Sequence, residues 1–227
     1  MIMAVFGDIQ NRLLHDLSWA PLRYGAIAVI LLTLLWLPLG IIGFAGWLWL
    51  CRLCLMPDPQ TAAYASSPEN AADFVYAPLT GRVMAVSYDP ASKMSRLFCQ
   101  MDWDASHLIL MPVSGEITEN LRIDGAFQPL PESLYEDAAS LPINARRDIQ
   151  IRQDDGQMVE MIFWGLPHCR YLASDLTEGQ SYHAGAVAGL TLLHGIVELR
   201  LPDTAKLRIE AGAILRAGTS LLARFND

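Results

Sequence analysis

The sequence predicts a mainly β protein, a small barrel or sandwich, preceded by an N-terminal membrane helical hairpin. Three observations predict it. No charged side chain occurs between Tyr24 and Cys51. Beyond residue 70 the apolar runs are short, often alternate with period two, and are separated by Gly, Pro and Asp turns. Two glycine-bearing segments in that region also echo each other at almost constant spacing.

Residues 1–23 form an amphipathic, mixed-charge stretch with Phe6, Ile9, Leu13, Leu14 and Leu17 as its apolar positions, which does not match a signal peptide. Residues 24–56 are the expected membrane anchor. A straight helix over its 28 uncharged residues would reach roughly 42 Å, against a hydrocarbon core of about 30 Å. Pro38 followed by Gly40, Gly43 and Gly46 marks a break, so two arms, about 24–37 and 40–55, are favoured over one tilted span. Four of the six tryptophans (Trp19, Trp36, Trp47, Trp49) fall in the first 50 residues, as rings seeking a membrane interface would. Residues 57–70, with Pro57, Pro59 and Pro68, read as a linker, leaving 71–227 as the β domain.

In that domain Arg82–Tyr88, Ile149–Arg152, Met158–Phe163 and Ile196–Leu201 are expected strands, and Pro131–Ala139 is the best short helix. Pro78-Leu79-Thr80-Gly81 recurs as Pro112-Val113-Ser114-Gly115, and Gly179 with Gly185 recurs as Gly212 with Gly218. Proline presets φ at a turn and glycine supplies a positive φ, so each echo predicts the same turn used twice.

Apolar residues make up 52% and charged residues 18% of the chain, below the globular norm of about 25% charged, which excludes disorder and favours membrane contact. The net charge of -8 lies on residues 61–227, because the earlier part balances Arg12, Arg23 and Arg52 against Asp8, Asp16 and Asp58. No nucleic-acid partner is expected of so acidic a domain. Cys51, Cys54, Cys99 and Cys169 are too few for a disulfide scaffold and favour a reducing compartment. His107, His183 and His194 are scattered, and no metal site is expected from them.

An apolar hairpin, a proline-bearing linker, an Ala-Pro-x-x-Gly-x-Val turn, a His before x-x-x-x-Pro-Val-x-Gly, an Asn-x-Arg and a Gly-x(5)-Gly tail follow one another from about residue 24 to the C-terminus. In order and spacing they resemble the short bacterial phosphatidylserine decarboxylases. The resemblance implies a membrane-associated proenzyme that cuts itself before a serine, converts that serine to a pyruvoyl group and makes phosphatidylethanolamine. It also implies the bacterial inner membrane, with the β domain on the cytoplasmic side.

The functional positions depart from that pattern. The family's Gly-x-x-x-Phe-Gly-Ser-x-Val corresponds to Gly189 through Val197, which puts Gly195 at the serine and His194 at the preceding glycine. No Ser, Thr or Cys occurs from Leu192 to Asp203, so no hydroxyl or thiol is available there to form the ester that becomes a pyruvoyl. The family acid of Pro-Ala-Asp-Gly is Thr80; the base corresponds to His107, but the Asp two residues earlier is Ala105; Asn-Glu-Arg is Asn144-Ala145-Arg146. The expectation is therefore a pseudoenzyme with no catalytic residues, no cofactor and no pyruvoyl. It would bind phospholipid, with His107, Arg146 and His194 as headgroup candidates, or serve a membrane protein complex. The alternatives are an active decarboxylase and a biotinyl- or lipoyl-type carrier, for which Lys206 in the Pro202–Lys206 turn, or Lys93, would have to serve.

Overall fold

The computed structural model describes residues 25–31, 37–55, 73–103, 105–136, 143–191 and 194–225. The chain divides into two compact units, Met1–Met56 and Pro57–Asp227. The Cys51 and Cys54 side chains, residues 1–23 and the linker 57–70 lie outside the described residues.

In the first unit residues 25–31 are helical and α1 spans Leu37–Leu55. Pro38 falls in its first turn, where the missing N–H has no intrahelical partner to lose. A Cβ placed on Gly43 would lie 3.4 Å from Val29 Cγ2, so glycine lets the two stretches approach closely. Fourteen residues of straight helix would put these positions about 21 Å apart, so the two stretches are not one straight helix. The surfaces are apolar all round, with Ile27, Ile30, Ile41, Ile42, Phe44 and Trp49 at least half exposed. Among the described residues no helix is long and apolar enough to cross a membrane.

The second unit is mainly β. Its strands are β1 (Phe74–Tyr76), β2 (Gly81–Asp89), β3 (Met94–Met101), β4 (Leu108–Leu110), β5 (Gly115–Ile123), β6 (Arg146–Arg152) and β7 (Met158–Trp164). They continue as β8 (Leu172–Ala173), β9 (Ser181–Tyr182), β10 (Val187–Thr191), β11 (Ile196–Pro202), β12 (Ala205–Leu207), β13 (Ile214–Leu215) and β14 (Leu221–Phe225). One curled eight-stranded sheet runs β13-β2-β3-β11-β7-β6-β5-β9, and two small sheets run β1-β14-β12 and β4-β10-β8. Within the expected Pro131–Ala139 helix, of which residues 137–139 lie outside the described residues, α2 spans Ser133–Glu136, and Tyr135 meets Phe98 edge-on at 4.9 Å.

The echoes become a pseudo-two-fold pairing. Tyr76 N–H donates to Pro112 O at 2.8 Å, and its counterpart Leu110 N–H donates to Pro78 O, also at 2.8 Å. Gly218 and Gly185 donate to Ala77 and Met111, and Gly212 and Gly179 to Val83 and Ile117, all within 2.8–2.9 Å. All four of these glycines have φ between +69° and +87°. Gly81 and Gly115 solve a different problem, since a Cβ on either would press into the carbonyl of Gln100 or Arg152 across the sheet.

One face of the large sheet carries the apolar core, including Val83, Leu97, Cys99, Ile149, Met161, Phe163, Val197 and Leu199. Burial drives the Cys99 thiol up to about 12, leaving it inert at neutral pH. Cys99 and Cys169 are both free and buried.

The opposite face carries charge. Glu198, fully buried, accepts from Arg96 Nε at 2.7 Å, Arg200 Nε at 2.7 Å and Trp164 Nε1 at 3.0 Å. Burial would lower the Arg200 guanidinium, but Glu198 and then Glu160 hold it above its ordinary value.

Two outcomes follow for stability. Gly179→Ala and Gly212→Ala, with open space around the new methyl, should each cost about 1–2 kcal/mol from the positive φ alone. Because the positions are equivalent, denaturant unfolding should give similar losses for both. Glu198→Ala leaves Arg96 buried without its carboxylate and should cost about 3–5 kcal/mol, readable as a large fall in the unfolding midpoint.

Candidate active site

Gly195 begins the return from β10 into β11, and its carbonyl accepts from Met101 N–H at 3.0 Å. His194 just before it has φ +52°. That is the left-handed region in which glycine is at ease. The histidine is held there through its ring: Nδ1 lies 3.2 Å from Met101 O. A carbonyl only accepts, so Nδ1 carries the proton in this contact. The ring also meets His168 edge-on at 6.1 Å.

Thr191, at the end of β10, fills the space beside Gly195. A Cβ built on Gly195 would fall 2.0 Å from Thr191 Oγ1 and 2.9 Å from Thr191 Cβ, well inside contact distance. Thr191 is fully buried, and its hydroxyl has no hydrogen-bond partner among the described residues. Its N–H donates to His107 O at 3.1 Å, which sets the buried His107 next in the chain of contacts. Sequence inspection missed Thr191 because it stands four positions before Gly195, outside any one- or two-residue slip of the serine motif. Only its place in the folded turn exposes it.

Thr80 has a turn-tying task. Its hydroxyl accepts from Ala217 N–H at 3.1 Å, and Ser114, its counterpart in the other half, accepts from Ala184 N–H at 2.9 Å. The two side chains do the same structural work on either side of the pseudo-axis. Thr80 O also accepts from Asp102 N–H at 3.2 Å, and Asp102 O from the buried Ala105 N–H at 3.2 Å. This brings Asp102 into the neighbourhood as a carboxylate that the motif comparison did not single out. It faces outward, 3.8 Å from Arg82, with about a third of its side chain exposed. Thr80, Asp102, Met101, Gly195, Thr191 and His107 are thus linked contact by contact.

Arg146 stands apart. It lies across from Trp164, which lies across from Ile196, so two strand spacings, about 10 Å, separate its backbone from that of Ile196. Its Nε donates to both Asp148 oxygens at 3.0–3.1 Å, and its guanidinium lies over Trp164. Asn144 is committed to backbone, donating through Nδ2 to Gln128 O at 2.5 Å and Gly165 O at 2.8 Å. Of the lysines, Lys206 lies on β12 and not in a turn, whereas Lys93, with φ +56°, is at the tip of the β2–β3 hairpin. Among the described residues no group of three or more His, Cys, Asp or Glu side chains is placed to hold a metal ion.

The site offers one buried hydroxyl, two histidines and no side chain at Gly195. Comparison with known proteins agrees with the layout. The phosphatidylserine decarboxylase proenzyme of Beijerinckia indica subsp. indica is 25% identical over 231 residues, taking in 97% of this chain and 94% of the relative. The phosphatidylserine decarboxylase family itself matches residues 68–223, most of the chain and almost the whole β unit, so the protein belongs to that family.

Proposed function

We propose that this protein is a membrane-anchored member of the family that neither processes itself nor decarboxylates, and that acts by binding phospholipid or by serving a membrane protein complex. The observation that carries this reading is the Gly195–Thr191 contact. A pyruvoyl group is made from a serine that first attacks the carbonyl before it. Here that position has no side chain, and the room for one is taken by Thr191. The residues present do not fit the group.

The supporting groups point the same way. Thr80 stands where a carboxylate would charge a base, and its hydroxyl is committed to a backbone amide. Ala105, where the resemblance implies an aspartate, supplies no carboxylate two residues before His107.

Anchoring falls to the apolar pair of helical stretches, whose exposed Ile, Leu, Phe and Trp side chains suit insertion into the outer part of a bilayer as a hairpin. The domain's charge of -8 is repelled by anionic lipid, so hydrophobic insertion must supply the affinity. The free, buried thiols suit a reducing compartment, in keeping with the inner membrane of a bacterium and a cytoplasmic β domain.

Purified protein should therefore run as one chain and weigh about 25.1 kDa intact. Two fragments, the smaller with a carbonyl that hydrazine traps, would overturn the proposal. The same contact predicts a variant series. Gly195→Ser alone should lower the melting temperature and remain uncut. Gly195→Ser with Thr191→Gly should recover much of that loss and still remain uncut, because Thr80 and Ala105 supply no acid. Mass spectrometry and thermal unfolding of both variants check this, and cleavage in either would show the remaining groups to be competent.

A further inference from the structure

Two imidazoles meet beside Gly195. His168 sits at the tip of the tight turn between β7 and β8, which Leu166 and Cys169 close with reciprocal backbone bonds of 2.9 and 3.0 Å. His194 immediately precedes Gly195 in the return from β10 to β11. The two rings lie 6.1 Å apart, centroid to centroid, and perpendicular. The scattered His107, His183 and His194 suggested no cluster in the sequence, and folding gives His194 a different neighbour.

This pair has features that an aromatic contact does not require. His194 holds φ +52°, and a residue other than glycine in the left-handed region is uncommon and strained. Its Nδ1 donates to Met101 O at 3.2 Å. That bond fixes the tautomer and leaves Nε2 as an acceptor aimed away from the carbonyl. A backbone carbonyl that orients one ring nitrogen is the usual support of a histidine whose other nitrogen binds metal. Among the described residues no hydrogen bond or ion pair engages Nε2 of His194 or either nitrogen of His168. His168 is exposed and His194 half-buried, so an ion reaches the pair from solvent.

The spacing suits one shared ion. An imidazole nitrogen binds Zn2+ at about 2.0–2.1 Å, which puts the ring centroid roughly 3.2 Å from the metal. Two rings on one ion, at angles from tetrahedral to nearly linear, then have centroids roughly 5.2–6.4 Å apart, and the observed 6.1 Å falls in that range. Rotation of the exposed His168 side chain suffices to direct a nitrogen inward. Asp102, nearby in the chain of contacts, is turned towards Arg82 at 3.8 Å, and among the described residues no third His, Cys, Asp or Glu completes a cluster. Two neutral nitrogens favour Cu2+, Ni2+ or Zn2+, whereas Mg2+ and Ca2+ require oxygen.

We propose that His168 and His194 form a two-imidazole site for a divalent transition metal, with water in the remaining positions. The ion ties the β7–β8 turn to the β10–β11 turn beside Gly195. This site needs neither a pyruvoyl group nor a lipid, so it stands apart from the phospholipid-binding reading.

The test uses the full chain in lipid nanodiscs, titrated calorimetrically with CuCl2, NiCl2, ZnCl2 and MgCl2. Cu2+ should bind most tightly and Mg2+ not at all. Ni2+ at about 100 times its Kd should raise the unfolding midpoint by several degrees. His168→Gln, on an exposed turn, should leave the metal-free midpoint unchanged and weaken Ni2+ at least about tenfold. His194→Gly accepts the backbone twist freely and should weaken Ni2+ to the same extent. Electron paramagnetic resonance of the one-to-one Cu2+ complex should show two coupled imidazoles. Failure of the unaltered chain to bind Cu2+ and Ni2+ would leave the rings an edge-to-face contact only and overturn the inference. So would undiminished Ni2+ binding in either variant, or sulfur ligation of Cu2+, which would place the metal on Cys51 and Cys54.

Discussion

The β domain depends on a reciprocal backbone crossing. Tyr76 reaches Pro112 and Leu110 reaches Pro78, and each Pro-x-x-Gly turn is thereby clamped by the strand that enters the other. Neither turn closes alone, because its partner amide belongs to the other repeat. The four glycines at positive φ then bring β9, β10, β13 and β14 back against the same two turns. The large sheet hangs from this crossing: β2 and β5 leave it from Gly81 and Gly115, where only glycine admits the opposing carbonyls.

The candidate site inherits its shape from this arrangement. Thr80 is the third residue of one clamped turn and Ser114 of the other, and each spends its hydroxyl on a returning amide. A carboxylate at position 80 could accept the same bond and keep a charged oxygen, whereas the threonine hydroxyl that accepts it carries no charge. His194 shows the complementary case. Its backbone keeps the left-handed twist that glycine would supply freely, at a cost of about 1–2 kcal/mol, which its bond to Met101 helps to offset.

What the sequence makes legible follows from range. The glycine spacing and the Pro-x-x-Gly repeat are local signals, and both predict turns that form at those residues. β2, β6, β7 and β11 coincide with the alternating runs to within a few residues. Three features were out of reach because the folded geometry, and not the order of residue types, decides them. Thr191 meets Gly195 only through a turn whose shape no motif encodes. Arg96 and Glu198 are 102 positions apart and meet because β3 and β11 pair in one register. Arg146 carries the right chemistry for a phosphate, yet its neighbour two residues on, Asp148, claims it. In the Pro131–Ala139 stretch α2 buries Leu134 and packs Tyr135 against the core.

The buried hydroxyl of Thr191 is best understood by asking what a glycine does at a buried junction. Removing a side chain from a packed site leaves a void, and voids cost stability in proportion to their volume. Here no void opens beside Gly195, because a β-branched residue from the neighbouring strand end fills it. Threonine does so imperfectly: its methyl and Cβ pack, but its oxygen finds no donor or acceptor among the described residues, and an unpaired buried hydroxyl costs about 1–3 kcal/mol. Valine, of the same shape, would avoid that cost. The oxygen is therefore not explained by packing alone, while its position against the Gly195 backbone rules out any side chain there short of moving Thr191. Closure of the pocket from within, and not the missing serine by itself, sets this site apart from one that could be restored by a single substitution.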